Sequence, residues 1–249
     1  MKLIILIWLV LTLIGPVWLY ATGRVDLDSD YATANRESAH LAPDPKRTPE
    51  AVIQVYSARA FSWRGIVASH CWISVKPENA DSYTVYQVIG WRTYRGLPAL
   101  SVAKDIPDRN WFNAVPNVIL DIRGEKAAKL IPEIENAARN YPYASPYVLW
   151  PGPNSNTFPA YIARAIPALR LALPSDAVGK DFLPNGALFA NAPSGTGYQF
   201  SLYGVLGILA AKDEGFEINI LGLTYGIKFS PLKVLLPGFG YGVNLAKRG

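Results

Sequence analysis

The sequence predicts an α+β fold: an antiparallel sheet with packed helices, preceded by an N-terminal transmembrane helix and followed by a C-terminal β meander. The prediction rests on an uncharged apolar run from Leu3 to Ala21, on β-branched and aromatic runs at 51–90 and beyond 197, and on helical spacing between 124 and 169. Composition agrees. The chain has 249 residues, 50% hydrophobic and 12% aromatic, enough for one substantial core or a core plus a small appendage, which excludes a disordered chain. Its 24 basic and 19 acidic residues leave a net charge of +5 with no long basic run, so nucleic acid is not an expected partner. One cysteine forbids an internal disulfide, and two histidines with one cysteine cannot supply a usual structural zinc set; no metal and no cofactor are expected.

Residues 1–23 read as a transmembrane anchor, because Leu3–Ala21 carries no charge and has roughly the length needed to cross a bilayer of about 30 Å as a helix. Trp8, Trp18 and Tyr20 are amphipathic rings suited to membrane interfaces, and Gly15-Pro16 is tolerated in such a helix. A cleaved signal peptide is the competing reading, but Tyr20-Ala21-Thr22 makes a poor cleavage site. Lys2 lies before the segment, while Asp26, Asp28 and Asp30 accompany Arg24 after it. That asymmetry points to a cytoplasmic N-terminus, hence a single-pass inner-membrane protein with a periplasmic body.

Residues 24–50, polar and punctuated by Pro43, Pro45 and Pro49, read as a surface linker. The α+β domain is expected over 51–196. Ala51–Tyr56 reads as a strand, Ile66–Val75 as a second strand carrying His70, Lys76–Ser82 as a turn, and Tyr83–Gly90 as a third strand in hairpin with the second. Helical spacing of Ala127, Leu130, Ile131, Ile134 and Ala138 covers 124–141, with Pro132 predicting a kink or two short helices. A second helix is expected from Thr157 to about Leu169, burying Phe158, Ile162 and Ile166. Residues 197–249 read as a β-rich extension, where Phe216, Ile218 and Ile220 alternate with Glu217 and Asn219 as in a half-buried strand. No solenoid repeat is present, and Gly238-Phe-Gly-Tyr-Gly lacks the spacing of a phosphate-binding loop.

His70 is the only imidazole beyond the N-terminal region, and Ser155 lies just ahead of a helix start, so the two can form a base and nucleophile if the helix packs on the sheet. Pro159 fits only the first helical turn, which puts the cap at Asn156 or Thr157 and Ser155 near the free N–H groups and positive dipole end. Cys71 neighbours His70 on a strand and must face the other way; it reads as a buried apolar residue. The plainer reading makes Asn154 and Ser155 a turn and cap, and His70 a core histidine beside Trp72. Trp91, Trp111 and Trp150 either line a groove or fill a core.

The order His70-x-Trp72 on a strand, Pro142-Tyr143 after a helix, then Asn154-Ser155-Asn156-Thr157-Phe158 at a helix start resembles the circularly permuted NlpC-type papain-like superfamily, which includes lecithin-retinol-acyltransferase-like proteins. Its usual pattern is Asn-Cys-x-x-Phe. The resemblance implies a permuted papain-like fold in which His70 is the catalytic histidine, Ser155 stands in the place of the catalytic cysteine, and Gln87 orients the imidazole. It also implies that Asn154, Asn156 and Tyr143 border the substrate and oxyanion. More closely, Val52–Lys180 resembles an uncharacterised bacterial membrane-associated domain family, with Trp150–Phe158 as the most specific string.

The expectation that follows is a membrane-anchored cell-envelope protein with a serine-dependent amidase, peptidase or acyltransferase site. Ser155 would attack a carbonyl, His70 would move the proton, and backbone N–H groups near Asn156 would stabilise the oxyanion. Serine for cysteine removes thiolate chemistry, since a hydroxyl needs its base during attack. The alternative is a noncatalytic envelope binding or scaffold protein using the same cleft. Expected partners are membrane lipid through the N-terminal helix and an envelope peptide or lipid substrate.

Overall fold

The structure, a computed structural model, describes residues 2–244. Met1 and the last residues of the C-terminal extension, 245–249, lie outside the described residues. Helix α1 (Lys2–Ala21) is, among the described residues, the one helix long and apolar enough to cross a membrane. Only Gly15 and Leu19 of it are buried.

The body is built on five antiparallel strands: β1 (Val52–Arg59), β2 (Ser69–Lys76), β3 (Thr84–Val88), β4 (Leu100–Lys104) and β5 (Asn117–Arg123). Their order in the sheet is β4-β3-β2-β1-β5. Helices α2 (Gly124–Arg139) and α3 (Thr157–Ala165) pack on one side. Strand alternation sorts the side chains into two faces. Ile53, Val55, Cys71, Ile73 and Val75 meet Leu130 and Ile134 of α2 and Phe158 and Ile162 of α3. Tyr56, Ala58, Trp72 and Val85 face the other way and are covered by Trp111 and Phe112. The class is therefore mixed helix and antiparallel sheet, as the sequence predicts.

Several boundaries differ from those expected. Residues 62–66 turn as a 3-10 segment, so β2 begins at Ser69 instead of Ile66. Helix α2 runs unbroken through Pro132. Pro132 and Ala128, whose carbonyl the proline cannot satisfy, are both exposed, so water can take that carbonyl and the helix continues. Helix α3 stops at Ala165 because Pro167 follows, with a short 3-10 turn over 167–169. Residues 24–50 are pinned along the aromatic face and do not run free as a linker. Asp108 accepts the N–H groups of Leu41 at 2.6 Å and Ala42 at 3.0 Å and the Ser38 hydroxyl at 2.8 Å, and Tyr31 packs edge-on against Trp91.

The second sheet is a meander in which every strand pairs with its sequence neighbour: β6 (Phe189–Asn191), β7 (Gly197–Leu202), β8 (Leu206–Ala211), β9 (Gly215–Ile220), β10 (Leu223–Phe229), β11 (Leu232–Leu235) and β12 (Val243–Asn244). Its alternation has the phase opposite to the usual one. Gln199, Ser201, Glu217, Asn219 and Thr224 are buried, while Tyr198, Ile208, Phe216 and Ile218 are exposed. The half-buried strand expected around Phe216 therefore buries its polar side. Apart from Thr224, whose buried hydroxyl has no hydrogen-bond partner, the inner polar groups find partners at the end of the body. The Lys180 ammonium contacts the Glu217 carboxylate, Asp181 accepts from Gln199 and, at 3.0 Å, from Asn219, and Arg164 donates to Gln199 at 2.6 Å. Burial opposes the charge on Lys180, but Asp181 and Glu217 outweigh it and raise its pKa.

Candidate functional site

Asn154 starts α3. Its carboxamide oxygen accepts the N–H of Asn156 at 3.0 Å and of Thr157 at 3.4 Å, and its Nδ2 donates to Leu149 and Val178 carbonyls at 3.0 and 3.1 Å. Asn156 holds the N-cap position, one of the two expected, but makes no side-chain cap bond, and Asn154, two residues before it, supplies the capping oxygen instead. Gly179 makes room for it: with φ +98°, a Cβ there would come within 2.3 Å of the Asn154 carboxamide. The capping also uses the N–H groups assigned to an oxyanion, so the helix start offers a reacting carbonyl neither the Asn156 nor the Thr157 donor.

Asn156 points to the edge of β2. Its Oδ1 accepts the Cys71 N–H at 3.1 Å, and its Nδ2 donates to the carbonyls of Ser69 at 2.9 Å and Val178 at 2.8 Å. Strand β3 pairs with β2 only along 73–75, leaving the edge at 69–71 without a strand partner. The Asn156 carboxamide takes that place as a peptide would. It clamps the backbone on both sides of His70.

His70 pairs across the sheet with Ala58, so its side chain lies on the aromatic face, opposite to Cys71 and α3. The ring stacks on Trp111 with centroids 3.7 Å apart and planes at 8°. Its Nε2 lies 3.4 Å from Gln87 Oε1. Burial lowers its pKa to about 3, against a smaller upward pull from Gln87, so it is neutral and a weak base. Cys71 is fully buried among the apolar residues under α3, as expected, and burial raises its pKa to about 12.

Ser155 is buried, and among the described residues no side-chain hydrogen bond reaches it. Of the six predicted site residues, the structure joins His70 to Gln87, and Asn154 to Asn156. Ser155 sits in the chain between Asn154 and Asn156, but no side-chain hydrogen bond joins it to either pair among the described residues. Tyr143 lies apart, accepting the Asn185 N–H at 2.8 Å and packing edge-on against Phe182. Trp111 is core and Trp91 packs against it, while Trp150 is half-exposed with its indole N–H donated to the Leu221 carbonyl at 3.0 Å. A cleft lined by His40, Asp44, Tyr83 and Asp108 includes none of the predicted residues. Among the described residues no cluster of histidine, cysteine or carboxylate side chains could hold a metal ion.

Sequence reasoning missed Asp176. Its carboxyl is buried 3.3 Å from the Arg59 guanidinium, and burial raises its pKa. Its backbone carbonyl accepts the Ser69 N–H at 2.9 Å, next to the Asn156 clamp. No local signal marks it, because Ser175-Asp176 reads as an ordinary turn.

A family model described as a protein of unknown function (DUF3750) matches residues 50–182, more than half of the chain. No curated protein and no solved structure matches.

Proposed function

The chain belongs to the DUF3750 family, and we propose that it is a membrane-anchored, noncatalytic binding or scaffold protein of the cell envelope, on a permuted papain-like body whose base and nucleophile have separated. One observation carries this reading. His70 is stacked on Trp111 on the aromatic face of the sheet, whereas Ser155 precedes a helix packed on the opposite face, with no hydrogen bond between them. Acyl transfer by serine needs an imidazole in reach of the hydroxyl and free oxyanion donors. The architecture is supported by the antiparallel order of the sheet, by His70-x-Trp72 on β2, and by Asn154–Phe158 at the start of α3. A single-pass inner-membrane placement is supported by α1, and a periplasmic side for the body is read from Lys2 ahead of it. The ligand class is an envelope peptide or lipid.

The second reading, a serine-dependent amidase, peptidase or acyltransferase, is favoured by the 3.4 Å approach of Gln87 to His70, the pairing an orienting residue makes. A serine-directed phosphonate probe on the purified full-length protein separates the two. The binding reading expects no labelling, and expects Ser155→Cys to alkylate no faster than an ordinary exposed thiol whether or not His70 is present. Labelling abolished by both Ser155→Ala and His70→Ala, in variants that remain folded, would overturn it.

A further inference from the structure

We propose that the outer face of the meander rests on the lipid bilayer, as a second membrane contact beside α1. Phe200, Ile208, Ile218 and Tyr225 stand in one cross-strand row, and Tyr198, Phe216 and Ile227 in the next. No charged side chain stands in either row. Phe216, Ile208 and Tyr198 are 41%, 49% and 77% exposed, on a face whose reverse side is polar and buried. Soluble proteins rarely leave a contiguous apolar surface spanning several strands open to water.

What covers this face follows from its continuity with α1. The Thr12 hydroxyl lies 2.6 Å from the Tyr225 hydroxyl, which belongs to the first outer row. Gly15 sits so close that a Cβ would come 2.0 Å from the Pro237 carbonyl oxygen and 3.0 Å from the Phe239 ring. The contacts run over the C-terminal half of α1, from Thr12 to Trp18, whose ring lies 5.4 Å from that of Phe239. They bring the sheet alongside the half of α1 next to the body, and the lipid interface that wets one wets the other. A second copy seated on the sheet would leave the outward side of α1, almost wholly exposed, still uncovered. Open sheet edges at β6 and β12 keep the meander from immersion, since unpaired backbone groups are not accommodated in hydrocarbon. The face thus lies at interfacial depth, where exposed Tyr198, Tyr203 and Tyr241 are favoured.

The test uses the full-length chain in vesicles of phosphatidylcholine and phosphatidylglycerol, with a fluorophore at Ile208→Cys or Phe216→Cys and, as control, at Lys126→Cys on the exposed side of α2. Cys71 is buried and stays unlabelled. Lipid-borne quenchers should reduce emission at 208 and 216 by about twofold or more relative to 126, and aqueous iodide should do the reverse. Iodide access at 208 and 216 equal to that at 126 would overturn the proposal. So would protection from both quenchers, which means that protein, a second copy included, covers the face. Unsubstituted protein gives an independent reading: photoactivatable acyl chains should form adducts on peptides from β7–β10 as well as on α1. Adducts on α1 alone would reject the sheet contact.

Discussion

Asn156 does more for the fold than its neighbour Ser155, although the resemblance ranks them the other way. Asn156→Ala leaves the Cys71 N–H and the Ser69 carbonyl without their partner in a buried place, and should cost about 2–4 kcal/mol. Ser155→Ala breaks no side-chain hydrogen bond and should cost under about 1 kcal/mol. Urea unfolding of the two variants checks this; equal losses would make Ser155 a structural residue. His70 provides the pH dependence. Its folded pKa of about 3 lies below the ordinary imidazole value of 6.5, so its contribution is complete above pH 6.5 and is lost as pH falls toward 3. The slope in that window should reach about 1.4 kcal/mol per pH unit and disappear in His70→Phe, which keeps an aromatic ring against Trp111. Stability that is flat from pH 7 to 4 would mean that the imidazole is solvated. That His70 is the sole body imidazole, and that Cys71 faces away from it, are legible in the local sequence. Which face is covered by Trp111 and residues 24–50 is a long-range outcome that no spacing encodes.

Helix α3 holds to the sheet through its apolar stripe, and Phe158 is its fully buried centre, packed edge-on against Tyr141 at 5.1 Å. Phe158→Ala should destabilise by about 3–5 kcal/mol, read by the same urea titration. A cost near that expected for Ser155→Ala would mean that the helix is pinned by Asn154 and Asn156 alone. The helices and β1–β3 are readable because burial imposes a period on them. Strands β4 and β5 are not, for a physical reason. They are the two edges of the sheet, largely exposed, so the short alternations Leu100-x-Val102 and Val118-x-Leu120-x-Ile122 do not mark a continuous buried face. In β9 the period of two is legible but its phase is not. Glu217 and Asn219 can face inward only because Lys180 and Asp181, far back in the chain, arrive to meet them.

At the scale of the molecule, an anchor held by α1 should keep the protein with membranes through a high-salt wash and release it in detergent, since salt screens charge but does not weaken apolar burial. Salt release would mean attachment by surface charge. The body and the meander are joined by the buried charges at Lys180, Asp181, Glu217 and Arg164. A sheet with a polar inner side and an apolar outer side has no core of its own, so its inner groups are satisfied only while the end of the body is folded beneath them. The two sheets should therefore melt together, with far-UV circular dichroism and tryptophan fluorescence giving coincident transitions in detergent. Lys180→Met leaves two carboxylates facing each other in a buried place and should cost about 3–5 kcal/mol. Adding Glu217→Gln to Lys180→Met should recover part of that loss, because the second change removes the uncompensated charge. A Lys180→Met loss under about 1 kcal/mol, or two separate melting transitions in the native protein, would show that the meander stands without the body's charges.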